Sequence, residues 1–181
     1  MVKIVECIPN ISEGRRLDVV EEILAEVRQV AGVTLLDYSS NADHNRTVIS
    51  MMGEPEKVLE AVWRLIAKAA EKIDLDQHQG EHPRMGATDV VPFVPIRGMS
   101  MEECVDLANT LGERVGRELL IPVYLYEKAA TRPERRNLAE VRRGQYEGLK
   151  ESIMTPGRTP DYGPSVLGKA GAIAIGSWRL M

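Results

Sequence analysis

The hydrophobic positions of the chain repeat with two periods, one typical of strands and one typical of helices. Alternation with a period of two begins at Val2 and stops at Pro9, and similar short apolar segments recur later in the chain. Each segment is bounded by Gly, Pro, Asn or Ser, which favour turns. The predicted strands cover residues 2–8, 33–38, 45–52, 89–96, 122–126 and 170–175.

Apolar residues spaced three and four apart predict the helices. Pro55 suits the first position of a long helix, since its missing N–H has no partner there in any case. Ser100 and Glu103 form a capping box, which predicts that the next helix begins at Met101. The predicted helices cover residues 16–30, a segment from Pro55 onward, 101–118, 138–143 and 146–152.

The order of the first six elements is strand, helix, strand, strand, helix, strand. This is the split βαβ, or ferredoxin-like, arrangement, so we predict an α+β fold. Adding the later strands extends it to a mixed sheet of about six strands with helices on one face, in a single domain over 1–181. The apolar Trp178, Leu180 and Met181 would normally lead into another packed element, so the chain is expected to be a fragment or a natural short form.

Composition narrows the function classes. The chain is 44% hydrophobic and 28% charged, with a formal net charge of -4, which fits a globular protein and gives no general surface for nucleic acid. Cys7 and Cys104 lie in apolar patterns and lack metal-ligand spacing, so we expect buried thiols and no metal. No segment has the length or apolarity of a signal peptide or a membrane span. The expected location is cytoplasmic.

Basic residues cluster late in the chain, and two interpretations of the cluster are open. It is either a solvated helix face or a local site for an anionic small molecule. The residues concerned are Arg132, Arg135, Arg136, Arg142 and Arg143.

The segment Gly80-Glu-His-Pro-Arg-Met-Gly86 carries the densest candidate chemistry. His82 titrates near neutral pH and can take up and return a proton. Arg84 can hold a carboxylate through two hydrogen bonds, and Glu81 or Asp89 could orient the imidazole ring. The alternative is a linker that an ion pair ties down.

A second polar cluster, at 43–47, and a later glycine-spaced segment, at 161–171, are weaker candidates. Turn chemistry accounts for Asp43 and Asn45, but Arg46 at the start of a strand is better explained by an anion or a partner carboxylate. The later segment lacks nucleotide-binding patterns. Its glycines would let the backbone approach a flat heterocycle, although a plain surface loop is equally compatible with the spacing.

Several longer motifs resemble one known family. They are VECIPNISEG (5–14), DHNRTV (43–48), GEHPRMGA (80–87), MSMEEC (99–104), PVYLY (122–126) and PDYGPS (160–165). Together they are similar to the N-terminal subdomain of glutamate formiminotransferase, and the resemblance runs along essentially the whole chain. It implies an α/β layer with a mixed sheet, and transfer of a formimino group from N-formimino-L-glutamate to tetrahydrofolate in histidine breakdown.

The resemblance also implies roles for individual residues. His82 matches the family's catalytic general base. From chemistry and position, not from the resemblance, we expect the substrate to be bound near Arg84, Arg46, Asp43, Asn45 and Glu81, with the two arginines as candidates for the glutamate carboxylates. Ser39 stands where mammalian members carry an Asp; if that Asp helps to orient the base, its role here falls to Asp37 or Asp43 or is absent. The segment matching the folate-binding loop, one residue shorter here, comprises Gly163, Pro164, Ser165, Val166, Leu167, Gly168, Lys169, Ala170 and Gly171.

Family members carry a second subdomain, and the substrates lie between the two. We therefore expect a separate C-terminal subdomain or a homodimer to complete the cleft. Three functions compete: a formiminotransferase or its N-terminal half, an enzyme that processes 5-formyltetrahydrofolate, and a non-catalytic folate-binding or assembly module.

Overall fold

The fold is built on a mixed seven-stranded sheet, which confirms the α+β prediction. It is described from a computed structural model that covers residues 1–179, so Leu180 and Met181 lie outside the described residues. The strands are β1 (Ile4–Cys7), β2 (Asn10–Ile11), β3 (Val33–Asn41), β4 (Arg46–Gly53), β5 (Thr88–Arg97), β6 (Val123–Glu127) and β7 (Ile173–Ser177).

The first predicted strand is divided in two, which gives seven strands rather than six. Both β1 and β2 pair with β4 on one side and β5 on the other, so they continue one another across Pro9. Pro9 has no N–H to donate to a neighbouring strand and therefore interrupts the ladder. Its carbonyl still accepts a hydrogen bond from Ile49, at 2.9 Å, which keeps the two halves aligned.

Five α-helices accompany the sheet in the described part of the chain. The helix that opens with the capping box begins and ends at the predicted residues, and Pro55 does stand at the start of its helix. The helix predicted over 16–30 is shorter by a residue or two at each end. The bounds are α1 (Leu17–Arg28), α2 (Pro55–Lys72), α3 (Met101–Glu118), α4 (Leu138–Val141) and α5 (Gln145–Ser152).

The strands lie in the order β3, β4, β1 with β2, β5, β7, β6. Every neighbouring pair from β3 to β5 is antiparallel, whereas β5, β7 and β6 are parallel to one another. The long connection through α3 allows the change to parallel pairing, since parallel neighbours need a crossover. No helix in residues 1–179 combines the length and the apolarity that a membrane span requires.

The two faces of the sheet differ in burial. In β4, Thr47, Ile49 and Met51 are buried and join a single apolar core with α1, α2 and α3, while the alternate residues are partly exposed. The prediction of helices on one face therefore holds for the three long helices. The short α4 instead borders the other face, where Leu138 and Arg142 line the same cleft as Val90 of the sheet.

Candidate active site

The two polar clusters that are separate in sequence meet in space. The loop between α2 and β5 lies against the hairpin turn between β3 and β4: the Glu81 N–H donates to the Asp43 carbonyl at 3.0 Å, and Asn45 Nδ2 donates to the Gln79 carbonyl at 3.0 Å. Gly80 makes this contact close, because a Cβ there would stand 2.4 Å from the carbonyl oxygen of His44. The loop and the turn thus form one site.

His82 is held in one tautomer by its two neighbours. Its Nδ1 lies 2.7 Å from the carbonyl oxygen of Pro83, and its Nε2 lies 2.5 Å from Nη1 of Arg46. A carbonyl only accepts and a guanidinium only donates, so Nδ1 carries the proton and Nε2 presents its lone pair. The sequence left open whether Glu81 or Asp89 orients the ring; in the structure the partner of Nδ1 is the Pro83 carbonyl.

Charged side chains from β4, from β5 and from the residue after α4 surround His82. Burial lowers the pKa of His82, and the positive charge of Arg46 lowers it further, so the imidazole is neutral at pH 7. Arg142 acts in the same direction, whereas Asp89 opposes it. The ring of His44 is tilted against that of His82, with 5.7 Å between their centroids. A neutral imidazole is the form that a general base requires, and in this structure its lone pair, on Nε2, faces Nη1 of Arg46.

Asp89 and Arg142 form a buried ion pair beside this histidine. Nε and Nη2 of Arg142 lie 3.0 and 2.7 Å from Oδ2 of Asp89, and the Met85 N–H donates to Oδ1 at 2.7 Å. The pair joins the start of β5 to the residue that follows α4. It therefore fixes the C-terminal end of the histidine loop.

Arg84 is engaged on all sides within the protein. It is 7% exposed, and its Nη1 and Nη2 donate to the carboxylate of Glu147 at 2.9 and 2.7 Å. Nε donates to Nδ1 of His78 at 3.0 Å, and the remaining N–H groups reach the carbonyl of His78 and the side chain of Gln145. A substrate carboxylate would have to displace Glu147, so the predicted carboxylate-binding role of Arg84 stays a prediction with this added cost.

Asn45 connects three segments of the site. Its Oδ1 accepts from the Gly14 N–H at 2.8 Å, and its carbonyl accepts from Nε2 of His78 at 3.0 Å. Its φ of 51° lies in the left-handed region, which Asn tolerates better than most residues. By contrast, the side chains of Asp43 and Glu81 are exposed at the rim. Substrate contacts by these three residues stay predictions.

A cleft of about 830 Å³ opens on the face of the sheet away from the long helices. His82 does not line this cleft itself but contacts Arg46, which does. Arg46 belongs both to its wall and to the histidine site. The sequence analysis singled out Arg46 and grouped Arg142 with the late basic cluster, but it missed the other polar and aromatic residues of this wall. Most of them lie at or just beyond the ends of β6 and β7, so no strand alternation marks them in the sequence. They are Asn10, Tyr126, Glu127, Lys128, Trp178 and Arg179.

The late basic cluster does not form one surface. Arg142 faces Asp89 in the cleft, whereas Arg135 is buried beside Asp161, at 3.2 Å, and over the ring of Tyr124. Arg143 is exposed and pairs with Glu140. Arg142 is thus paired with a carboxylate, and Arg135 and Arg143 line a separate cavity together with Arg158, so the interpretation as a site for an anion stays a prediction.

The predicted folate loop lies outside the described wall of this cleft. Its first residue, Gly163, packs against the carbonyl of Ile121, whereas Val166 is exposed. Its last part runs beside the histidine loop: the Ala87 N–H donates to the Ala170 carbonyl at 2.8 Å, and Gly86 and Gly171 are paired. The predicted folate loop therefore contacts residues 86–87, at the end of the histidine loop, and not His82 itself. Within 1–179, no group of three or more His, Cys, Asp or Glu side chains is arranged to hold a metal ion.

Comparison with known proteins identifies the family. Residues 4–178 match the model of the formiminotransferase domain, N-terminal subdomain. The chain is 51% identical to the glutamate formimidoyltransferases of Streptococcus pyogenes serotype M1 and Thermoplasma acidophilum, covering 98% and 97% of this chain but only 60% and 59% of those proteins. It is 46% identical to mouse formimidoyltransferase-cyclodeaminase, over 91% of this chain and 30% of that protein. The predicted resemblance is confirmed: the chain belongs to the family of formiminotransferase N-terminal subdomains.

Proposed function

We propose that this chain supplies the base-bearing wall of an enzyme that transfers the formimino group of N-formimino-L-glutamate to tetrahydrofolate. The observation that carries the proposal is His82, whose Nδ1 carries the proton and whose Nε2 meets Arg46, a residue that lines an open, basic cleft. The names of the relatives, which are 51% identical to this chain over 178 aligned residues, support the same activity. The chain spans about 60% of their length, so the rest of the site is proposed to come from elsewhere.

The chemistry requires one proton to move twice. N5 of tetrahydrofolate attacks the formimino carbon and forms a C–N bond, and its proton passes to Nε2 of His82. The tetrahedral intermediate then breaks its bond to the glutamate nitrogen, which takes the proton back from His82 and leaves as the free amine. Such acid–base help contributes on the order of 10²–10⁴-fold to the rate.

The cleft suits ligands of this chemical type. Its volume of about 830 Å³ falls within the range of small-molecule sites. Trp178 offers flat apolar surface for a pterin ring, while Arg46, Arg142 and Lys128 offer positive charge for carboxylates. We retain Asp43, Asn45, Glu81 and Arg84 and the loop 163–171 as further proposed contacts for the donor and for folate.

We also propose that the open face of the sheet is covered in the active protein, either by a separate C-terminal subdomain or by a second copy of this chain. Half a cleft orients its ligands poorly, because ligands in a closed site are largely buried. The two cysteines, Cys7 and Cys104, are buried free thiols, which suits the reducing, cytoplasmic setting that we propose for a histidine-degrading, one-carbon enzyme.

The experiment is an assay of wild type and His82→Gln with two donors, formiminoglutamate and 5-formyltetrahydrofolate, in the presence and absence of the C-terminal part of a relative. We expect turnover of formiminoglutamate by wild type and a loss of 10²-fold or more in kcat for His82→Gln. Turnover of formiminoglutamate that survives the His82 change would contradict the mechanism. Activity with 5-formyltetrahydrofolate alone would favour a folate-processing enzyme, and binding of folate without turnover of either donor would favour a non-catalytic module.

A further inference from the structure

The lone pair of the proposed base is already occupied within the protein. An imidazole with its proton on Nδ1 has a single acceptor, Nε2, and Nη1 of Arg46 lies 2.5 Å from it. A base accepts a proton only when its lone pair is free and within hydrogen-bond reach of that proton. With Arg46 in this position, the N5 proton of an acceptor has nowhere to go, so the guanidinium must move before the chemistry begins.

Arg46 differs from the other arginines around the site in lacking a carboxylate partner. Arg84 is paired with Glu147 and Arg142 with Asp89, whereas Arg46 makes no ion pair with any residue from 1 to 179. Burial lowers the pKa of Arg46, and the neighbouring charge of Arg142 lowers it further. A half-buried cation without a counterion has free energy to gain from an anion that enters its surroundings.

An anion can reach Arg46 from the cleft, since Arg46 lines its wall. A carboxylate accepts two parallel hydrogen bonds from a guanidinium, and this charge-assisted pairing is stronger than a hydrogen bond to a neutral imidazole. We propose that Arg46 is a specificity-determining gate, which blocks His82 until a carboxylate of the donor draws the guanidinium away and frees Nε2. This inference rests on the proposed function and names the donor group that activates the base.

The surrounding charges favour such a gate. The charged and titratable groups around His82 include Arg46 from β4, Asp89 from β5, Arg142 beyond α4, and His44 from the hairpin turn. His78 and Arg84 line the same small cavity, where Arg84 donates to His78 and is paired with Glu147. Asp89 and Arg142 neutralise one another as a pair, so Arg46 is the charge whose movement changes the basicity of His82 most. Its pairing with a carboxylate removes the positive charge that lowers the pKa of His82, and the base becomes stronger when the donor is bound.

The first test follows the His82 ring by nitrogen-15 NMR in the whole chain, with His82→Gln used to assign its signals. Its pKa is measured alone, with glutarate, and with glutaramide, the neutral analogue of that dicarboxylate. We expect glutarate to raise the pKa of His82 and glutaramide to leave it unchanged. Arg46→Gln should raise the pKa without any ligand and remove the response to glutarate. The matched control Arg117→Gln, at an exposed site on α3, should do neither.

The second test separates recognition from chemistry. Relative to wild type, Arg46→Gln should lower kcat/KM for formiminoglutamate roughly tenfold to hundredfold, the value of a charged hydrogen bond. For N-methylformamidine, a donor without carboxylates, the same variant should be at least as fast as wild type, because its base is never blocked. Arg46→Lys, which keeps the charge with a different geometry, should retain a response to glutarate.

Two results would overturn the gate. One is a wild-type His82 whose pKa does not respond to glutarate, and the other is an Arg46→Gln variant that loses activity equally with both donors. The NMR measurements need no turnover, so the gate can be established in a protein that proves to have no transferase activity. Conversely, transfer from formiminoglutamate with an unresponsive His82 would leave the proposed function in place and remove the gate.

Discussion

At the scale of single residues, the site depends on which partner each charged side chain has. Arg46 and Arg84 look alike in sequence, two arginines next to histidines, yet Arg84 is buried and satisfied by Glu147 while Arg46 faces the cleft. The first therefore fixes the loop and the second is available to a ligand. This division of labour follows from the position of α5, which brings Glu147 to Arg84 from 63 residues away.

The ion pair between Arg84 and Glu147 predicts a dependence of stability on pH. The hydrogen bonds from Arg84 lower the pKa of Glu147 from its usual 4.5 to about 2. A carboxylate with a depressed pKa in the folded state stabilises it above the unfolded value, and this contribution disappears as the pH falls from about 4.5 towards 2. The side chain of Glu147 is 65% exposed, so solvent screening limits the contribution to about 1 kcal/mol.

The measurement is chemical denaturation of wild type and Glu147→Gln between pH 2 and 7. We expect the variant to be less stable by about 1 kcal/mol at pH 7 and the difference to shrink as the pH falls below 4.5. Glu151→Gln, the same change at an exposed position of the same helix, should have little effect at any pH. A constant difference across the range would show that charge is not the cause.

At the scale of elements, the loop that carries His82 is fixed from two directions. The hairpin turn between β3 and β4 contacts it through Asp43 and Asn45, and the start of α5 contacts it where the Tyr146 N–H donates to the Arg84 carbonyl at 3.0 Å. Catalytic geometry depends on such support, since a shift of about 1 Å can cost 10²-fold in rate.

Gly80 is the position where this support is most easily tested. In Gly80→Ala, the new Cβ would stand 2.4 Å from the His44 carbonyl oxygen and 2.9 Å from Cβ of Asn45, so the loop must move away from the turn. We expect a loss of 1–3 kcal/mol in stability, the usual range for overpacking, and a larger relative loss in kcat than in affinity for the donor.

The matched control for Gly80→Ala is Gly157→Ala, where a Cβ would meet no atom within 4 Å. Thermal denaturation compares the stability of the two variants, and steady-state kinetics compares their kcat. If Gly80→Ala keeps wild-type kcat while Gly157→Ala behaves as wild type, contact between the loop and the turn is not needed for catalysis.

At the scale of the whole molecule, the sheet has one face covered by long helices and one face that carries the cleft. The open face includes Ile8, Val90, Pro92 and Trp178, an apolar strip beside charged side chains. Faces of this kind mark sites of association or ligand binding. The chain spans about 60% of the length of its glutamate formimidoyltransferase relatives.

The proposed cover predicts a measurable association. Sedimentation velocity over a range of concentrations should show self-association of the wild-type chain, and Ile8→Lys should weaken it because a charge would be buried in the contact. Leu120→Lys, at an exposed apolar residue just after α3, should not. A chain that stays monomeric at every concentration would exclude the homodimer and leave the separate C-terminal subdomain as the cover.

The sequence by itself determined the α+β class and the helices with strong end signals, and it singled out His82 as a candidate base. These are local properties: apolar periodicity, the capping box at Ser100, and a titratable side chain in a short turn-prone loop act over a few residues. The family motifs extend over longer stretches but are still read along the chain.

The tertiary structure alone decided which residues share the site. Arg46 lies 36 positions before His82, and Arg142 lies 53 after Asp89, so no local pattern could pair them. The cleft, in turn, gathers alternate residues from strands that are distant in sequence. Side-chain contacts across a sheet depend on strand order and register, which long-range packing sets. Only that packing places Arg46 against Nε2 of His82, orients the ring through the Pro83 carbonyl, and lowers the pKa of His82 through burial and the charge of Arg46.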